Sequence, residues 1–391
     1  MSTMCEKPPL IKLNVVLFVG LPVAAIILVP LWGIFSGYDS FQWLWALAFL
    51  YLNGMSITGG YHRLWSHKTY TAHPILRVFF ALWGAGALQN SILVWASDHR
   101  RHHRHVDDDE KDPYSAGLGL WFSHMGWILR NYESSHSNNF DNAKDLQRDP
   151  IVMWQHKHYG VITLFMNVGL PLMLGFWHGD IIGTFLLVGL LRLVVNHHVT
   201  FFINSLAHYW GSRPYTDANS AKDNGFLAFL TYGEGYHNFH HLFQTDYRNG
   251  IRWWQWDPTK WMIRLCSVTG LASNLVKTPD FKIQRAILDT QFERARQKLA
   301  ATVDTAPLLE KLEREYQLFT HSVNQWKSLQ TGRYEKKVAD LEGALERKKH
   351  KLQNKWEKAA LRTRLGELEY SLKMQRKRLS LLMLQMQLQT A

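Results

Sequence analysis

Histidine is gathered at three places in this 391-residue chain, each with a spacing that suits metal binding. The clusters are His62-Arg63-Leu64-Trp65-Ser66-His67, His99-Arg100-Arg101-His102-His103 and His237-Asn238-Phe239-His240-His241, and together they hold eight of the 20 histidines. On an α-helix the first residue shares a face with the fourth or fifth, while adjacent residues diverge by about 100°. One HxxHH turn can therefore offer imidazoles to two neighbouring metals. Two such turns and a further pair supply enough nitrogen for a dinuclear centre without a carboxylate, and neutral imidazole favours iron, copper or zinc over magnesium and calcium. A single histidine on an apolar helix is usually a hydrogen-bonded structural residue. His73, His105, His124, His136, His156, His158, His178, His321 and His350 are read that way, and no motif supports His197 or His198.

Other chemistries are poorly supported. Glu133-Ser134-Ser135-His136 and Glu234-Gly235-Tyr236-His237 both spell ExxH, the pair used by carboxylate di-iron bundles. The first lies in a Ser/Asn-rich stretch, and the second follows Gly233 and is split by Gly235, so neither is expected on a rigid helix. There is no HExxH zinc-peptidase motif, no GxxxxGK[ST] phosphate loop and no paired cysteines for a zinc finger or iron–sulfur cluster. Cys5 and Cys266 alone make no disulfide framework.

The elements that must carry these histidines are apolar helices. Leu13 to Phe35 has no charged residue, nor has Phe41 to Gly60, and each is about long enough to cross hydrocarbon as helix. A second pair runs from Val161 to Trp177 and from Ile181 to Leu206. The two joints, Ser36 to Ser40 and His178 to Asp180, lack Lys and Arg, whereas Tyr61 to Tyr159 holds eleven. The positive-inside bias then puts both termini and the histidine clusters in the cytoplasm, with two membrane hairpins. Val78 to Ser97 is also uncharged, but if it crossed, His62 and His67 would be separated from His99, His102 and His103 by the bilayer. It is read as an interfacial or protein-buried helix. The first apolar run is too long for a signal peptide and is expected to remain.

Composition changes near residue 280. Lys and Arg outnumber Asp and Glu by 21 to 19 before Phe281 and by 23 to 13 from Phe281 onward, so the net charge of +12 belongs mainly to the tail. That tail is expected to be a helical, coiled-coil-like extension over 281–391, beyond a membrane domain of 1–280. Leu361, Leu365, Leu368, Leu372, Leu379, Leu382 and Met386 follow a short heptad pattern. The stripe is open to three readings: folding back on its own body, self-association, or docking to a partner or anionic lipid. Nucleic acid is not an expected partner.

Three segments resemble the histidine boxes of the membrane fatty acid desaturases, closest to the Δ9 acyl-CoA branch: Gly59 to Tyr70, Asp98 to His103 and Gly233 to His241. Asn204-Ser205-Leu206-Ala207-His208 is similar to that branch's NSxxH element. The match covers about Leu13 to Trp261. The resemblance implies an all-α integral membrane fold of four helices under a cytoplasmic cap. It implies two iron ions held by His62, His67, His99, His102, His103, His208, His237, His240 and His241, with Asn204 contacting one through water. It also implies that Gln89, Trp95 and Thr200 line the bend of a substrate tunnel. Ser97 departs from animal acyl-CoA relatives, which carry an arginine there.

The implied reaction is oxygen-dependent insertion of a cis double bond, at Δ9, into an acyl chain, with acyl-CoA as the first expectation and phospholipid-bound or carrier-protein-bound chains as alternatives. An unactivated methylene has no acidic proton and no electrophilic carbon, so only a metal-bound oxidant can attack it. A di-iron lipid hydroxylase would share that oxidant, and a membrane anchor with structural metal is a rival of another class. No His-Pro-Gly-Gly haem signature and no flavin or nicotinamide fingerprint occurs, so electrons are expected from a separate ferredoxin, rubredoxin or cytochrome b5 with its reductase. The expected location is a bacterial inner membrane.

Overall fold

The computed structural model describes residues 8–132, 140–300, 306–342 and 351–389. Two units are distinct, Met1–Thr278 and Pro279–Ala391. In the first, α1 (Lys12–Phe35), α5 (Pro150–His178) and α6 (Ile181–Tyr209) are, among the described residues, the helices long and apolar enough to cross a membrane. Between them in sequence, α2 (Ser40–Met55) begins at an Asp39 capping box and runs on as the wider-wound turns Ser56–Ser66. α3 (Pro74–Ala85) and α4 (Ile92–His105) follow. After α6 come α7 (Gly225–Leu230), α8 (His237–Leu242) and α9 (Pro258–Val268).

Only three of the four expected spans meet the apolar criterion. α2 is uncharged from Phe41, yet it carries Gln42 and Asn53, both fully buried, and uncharged is not the same as apolar. Those amides have structural work. Gln42 Nε2 donates to Asp180 Oδ2 at 2.8 Å and Asn53 Nδ2 to the Trp83 carbonyl at 2.6 Å. His178 Nε2 lies 2.8 Å from Asp39 Oδ2, so the two joints expected between spans meet each other. Segment 78–97 is two helices rather than one: Leu88 and Asn90 take positive φ, 53° and 72°, and break it before α4. Phe80, Ala81, Ala87 and Ile92 along it are fully buried, so its apolar character serves the protein core.

Arg192, buried in the middle of α6, ties the helices together. Its guanidinium donates to the Val188 and Gly86 carbonyls and to the amide oxygens of Asn53 and Asn167, at 2.8 to 3.1 Å. Buried charge inside an apolar bundle needs such partners, which here serve Nε and Nη1. Close approach matters at Gly60, where a Cβ would lie 2.7 Å from the Cβ of Phe80. A two-residue antiparallel ladder, β1 (Thr71–Ala72) against β2 (Ala272–Ser273), joins the chain just past His67 to the segment that follows α9.

The second unit contains α10 (Asp280–Ala300), α11 (Ala306–Glu342) and α12 (Lys351–Gln389). Leu288, Leu299, Leu312, Phe319, Val323, Leu379 and Met386 form its core. In the expected heptad stripe, Leu365, Leu379 and Met386 are buried and Leu361, Leu368, Leu372 and Leu382 half-buried. The stripe thus packs on helices of its own extension.

Candidate metal centre

His62 sits in the wider-wound segment that prolongs α2, and His67 lies immediately beyond its last turn, where Lys68 at φ 54° redirects the chain. The carbonyls of Trp65 and Ser66 at that helix end are capped by Arg100 of α4, at 2.7 and 3.0 Å. Arg100 therefore holds the first box against the second. α4 presents His99, His102 and His103, α8 presents His237, His240 and His241, and the last turn of α6 presents His208.

Helical periodicity sorts these side chains into two groups. His62, His67, His99, His103 and His240 form one, and His102, His208, His237 and His241 the other; within each group the nearest nitrogens all lie within 4.8 Å of one another. In both HxxHH turns the first and fifth histidines share a group with each other while the fourth goes to the opposite one. All nine are buried or half-buried, and neither group includes a carboxylate among the described residues.

The nitrogen geometry fits a cation. Nε2 of His62 lies 2.9 Å from Nε2 of His240, Nε2 of His67 the same distance from that of His99, and Nε2 of His103 3.0 Å from that of His240. In the other group, Nε2 of His241 stands 3.0 Å from that of His237 and 3.3 Å from that of His102. Six-coordinate neighbours with metal–nitrogen bonds of about 2.1 Å stand about 3.0 Å apart. Burial, then repulsion from neighbouring imidazoles, holds His99, His103, His237, His240 and His241 well below the usual histidine range. Neutral rings whose Nε2 lone pairs face one another repel unless a cation lies between them. Nε2 of His208 is buried with no hydrogen-bond partner, as a waiting ligand atom would be.

The outward nitrogens have partners that fix the rings. Nδ1 of His102 donates to both carboxylate oxygens of buried Asp112, at 2.8 and 2.9 Å, which leaves Nε2 with its lone pair inward. Nδ1 of His208 is 2.7 Å from Ser220 Oγ, which in turn donates to Asp107 at 2.5 Å. The Tyr114 hydroxyl reaches Nδ1 of His99 at 3.3 Å. Nδ1 of His62 is 3.0 Å from Glu234 Oε2, a charge contact off the line of a straight hydrogen bond. Burial pushes the Glu234 carboxyl up, but His62 and Arg63 overcome this and hold it down at about 2. Arg63 also reaches Asp257 at 3.0 Å and the Tyr247 carbonyl at 2.8 Å, so removing one partner of this buried network costs about 3–5 kcal/mol. Glu234 is thus an orienting residue outside both nitrogen groups; its turn is set by Gly235, where a Cβ would meet the Ala228 amide nitrogen at 2.2 Å. The other ExxH, at Glu133, lies outside the described residues.

Sequence reasoning missed Asp107, Asp112, Tyr114, Ser220 and the orienting role of Glu234. The only signal was the run Asp107-Asp108-Asp109-Glu110-Lys111-Asp112 directly after the second box, which reads as a solvated acidic loop.

A cavity of about 440 Å³ adjoins the first histidine group. Its wall includes Leu17, Phe18, Ile57, Val94 and Phe201, and it reaches His62, His99 and His237. Gln89, Trp95, Thr200 and Asn204, expected near substrate or metal, all line it. Trp95 Nε1 donates to Gln89 Oε1 at 3.2 Å, and Gln89 Nε2 donates to Thr200 Oγ1 at 2.8 Å. Trp95 also lies flat on His99, with ring centroids 4.9 Å apart. Ser97 is fully buried and donates to Asn142 Oδ1 at 2.7 Å.

Several of the remaining histidines have local partners. His73 caps α3, His156 meets Ser91 at 2.6 Å, and His124 bridges His198 and Ser205 at 3.1 and 2.9 Å. His197 reaches the Ala87 carbonyl at 3.0 Å. His136 and His350 lie outside the described residues.

Among the described residues, three apolar helices long enough to cross a membrane, with nine imidazoles gathered into two groups that could each hold a metal, define the class of histidine-rich membrane-type proteins. The profile of the fatty acid desaturase family matches residues 40–267, and the chain belongs to that family. The chain is 42% identical over 292 residues to the probable acyl-CoA desaturase of Schizosaccharomyces pombe, covering 73% of this chain and 60% of that one. It is 41% identical over 270 residues to acyl-CoA desaturase 1 of Saccharomyces cerevisiae, covering 69% and 52%. A third relative is the sn-2 palmitoyl-lipid 9-desaturase of a Nostoc species, 36% identical over 280 residues, covering 70% and 93%. The chain thus spans little more than half the length of its yeast relatives. The yeast relatives are eukaryotic and give no support to the bacterial inner membrane expected from the sequence.

Proposed function

We propose that this chain is an oxygen-dependent fatty acyl desaturase that introduces a cis double bond, at Δ9, into a saturated chain presented as acyl-CoA. The observation that carries this reading is an apolar cavity ending at a double group of nine buried or half-buried imidazoles. His62, His67, His99, His103 and His240 would hold one iron, and His102, His208, His237 and His241 the other. Asn204, on the cavity wall, would contact one iron through water. When bound, the two irons supply the redox chemistry that lets O2, with two electrons from a separate carrier protein, remove two hydrogens from an unactivated chain.

The protein's own residues select which carbons react. The Gln89–Thr200 bridge crosses the cavity wall beside Trp95, so an acyl chain must bend around it, and a bend held against His99 favours the cis product. Phe18 and Phe201 close the cavity with apolar surface and keep water from the reacting carbons. In the bilayer, α2 is assigned as the fourth span, with the histidines and both termini on the cytoplasmic side. The catalytic domain is 1–280, and 281–391 is an appendage. Acyl-CoA is the carrier named for both yeast relatives, and an acyl-lipid is the one named for the Nostoc relative.

The test is expression in a host deficient in unsaturated lipid, followed by mass spectrometry of its fatty acids. New cis monoenoic chains, lost in His102→Ala, are expected. Hydroxylated chains would assign a hydroxylase instead, and unchanged lipids from an inserted, iron-loaded protein would refute the proposal.

A further inference from the structure

α12 carries a second apolar stripe, on the face opposite the one that builds the bundle core. Trp356, Tyr370, Met374, Leu381 and Leu384 are 76, 67, 39, 58 and 52% exposed. At 100° per residue they fall within an arc of about 80°, centred about half a turn from buried Leu365, Leu379 and Met386 and half-buried Leu372. A helix needs one apolar face to join a bundle. A second one, this wide and this exposed, marks a surface with a partner.

Charge identifies the partner. From Tyr370 to Ala391 the chain has four basic residues and no Asp or Glu. Arg378 pairs with Glu315 at 3.5 Å and Arg376 bonds to Gln284, so these two serve the bundle. Lys373 and Lys377 are exposed, and helical spacing puts Lys377 within the apolar arc and Lys373 at its edge. An aromatic and aliphatic stripe with lysines along it is the pattern of a helix lying in the plane of a membrane interface, where long lysine stems reach phosphate oxygens while apolar neighbours enter the acyl boundary. A second copy fits less well, because a two-fold seam centred on this stripe would bring Lys377 against its own symmetry mate. The unit is also covalently joined to apolar helices long enough to cross a membrane, so a bilayer is present at high effective concentration.

We propose that the exposed Tyr370–Leu384 face of α12 is a docking surface for an anionic lipid bilayer. The inference is independent of the chemistry at the histidines. The test uses the full chain with Cys5→Ser and Cys266→Ser, carrying an environment-sensitive fluorophore on Leu381→Cys and, in a parallel sample, on Leu384→Cys. Each is reconstituted into nanodiscs of phosphatidylcholine alone or with phosphatidylserine, some lipids brominated along the acyl chain, with helix content checked by circular dichroism. The expected result is a blue-shifted, bromolipid-quenched label in the phosphatidylserine discs only, reversed by high salt. Adding Lys373→Gln and Lys377→Gln should lower the insertion equilibrium by roughly tenfold or more. A label that stays in water in both discs, or that is quenched equally in both, overturns the proposal. So does shielding without quenching that needs two copies per disc, which would assign the face to self-association.

Discussion

Asp112 fixes the tautomer of His102, and its value lies in its charge as well as its shape. Asp112→Asn keeps the size but offers one acceptor in place of two and no charge to balance a cation. Losses of this kind cost about 10–100-fold in metal affinity or activity. The expected outcome is iron falling from two toward one per chain, measured by mass spectrometry of the purified protein, with helix content unchanged. Full iron and full turnover would show that Asp112 only packs. Asn204 and His208 separate differently. His208→Ala removes a nitrogen from the second group and should lower bound iron, whereas Asn204→Ala should keep most iron and lose turnover. Equal iron and equal activity in both variants would remove them from the centre. The nitrogen sets themselves were legible because ligand spacing is a local chemical constraint, readable at His99 and His103 or His237 and His241. The orienting residues were not, since Asp112, Ser220 and Glu234 reach their histidines only through folding, and nothing in an acidic loop says which carboxylate turns inward.

Among the elements, the segment 40–66 has to run as a helix, widen its winding and deliver His62 at once. Its wider winding is accommodated at Gly60, and Gly60→Ala would drive a methyl group into Phe80. Overpacking of this kind costs about 1–3 kcal/mol. The expected result is a lower melting temperature in detergent and reduced iron, because the strained turn carries His62. An unchanged melting temperature and iron content would show that the turn relaxes freely. Charge pattern was enough to find the two hairpin joints, which do meet through Asp39 and His178. It could not show where the amides of Gln42 and Asn53 find their buried partners, which lie more than a hundred and about thirty residues away. Nor did it find the break after α3, whose C-cap is Gly86, because the positive φ angles fall on Leu88 and Asn90 and not on a glycine.

For the whole molecule, the family profile ends at residue 267 and every histidine of the two nitrogen groups lies before it. Removal of everything after Pro279 should therefore leave residual desaturation in membranes supplied with reductant, measured as monoenoic product per bound iron. A truncated chain that inserts and holds two irons yet makes no product would show that the extension belongs to the catalytic machinery. The central claim, that the nine-imidazole centre desaturates an acyl chain, is tested most directly by the mass of the product formed from midchain-deuterated stearoyl-CoA. The assay uses purified, iron-loaded protein, O2 and an electron-transfer chain. A cis monoenoic product that has lost one deuterium from each of two adjacent carbons is predicted. A hydroxylated product, or unaltered substrate while reductant is consumed, would contradict it.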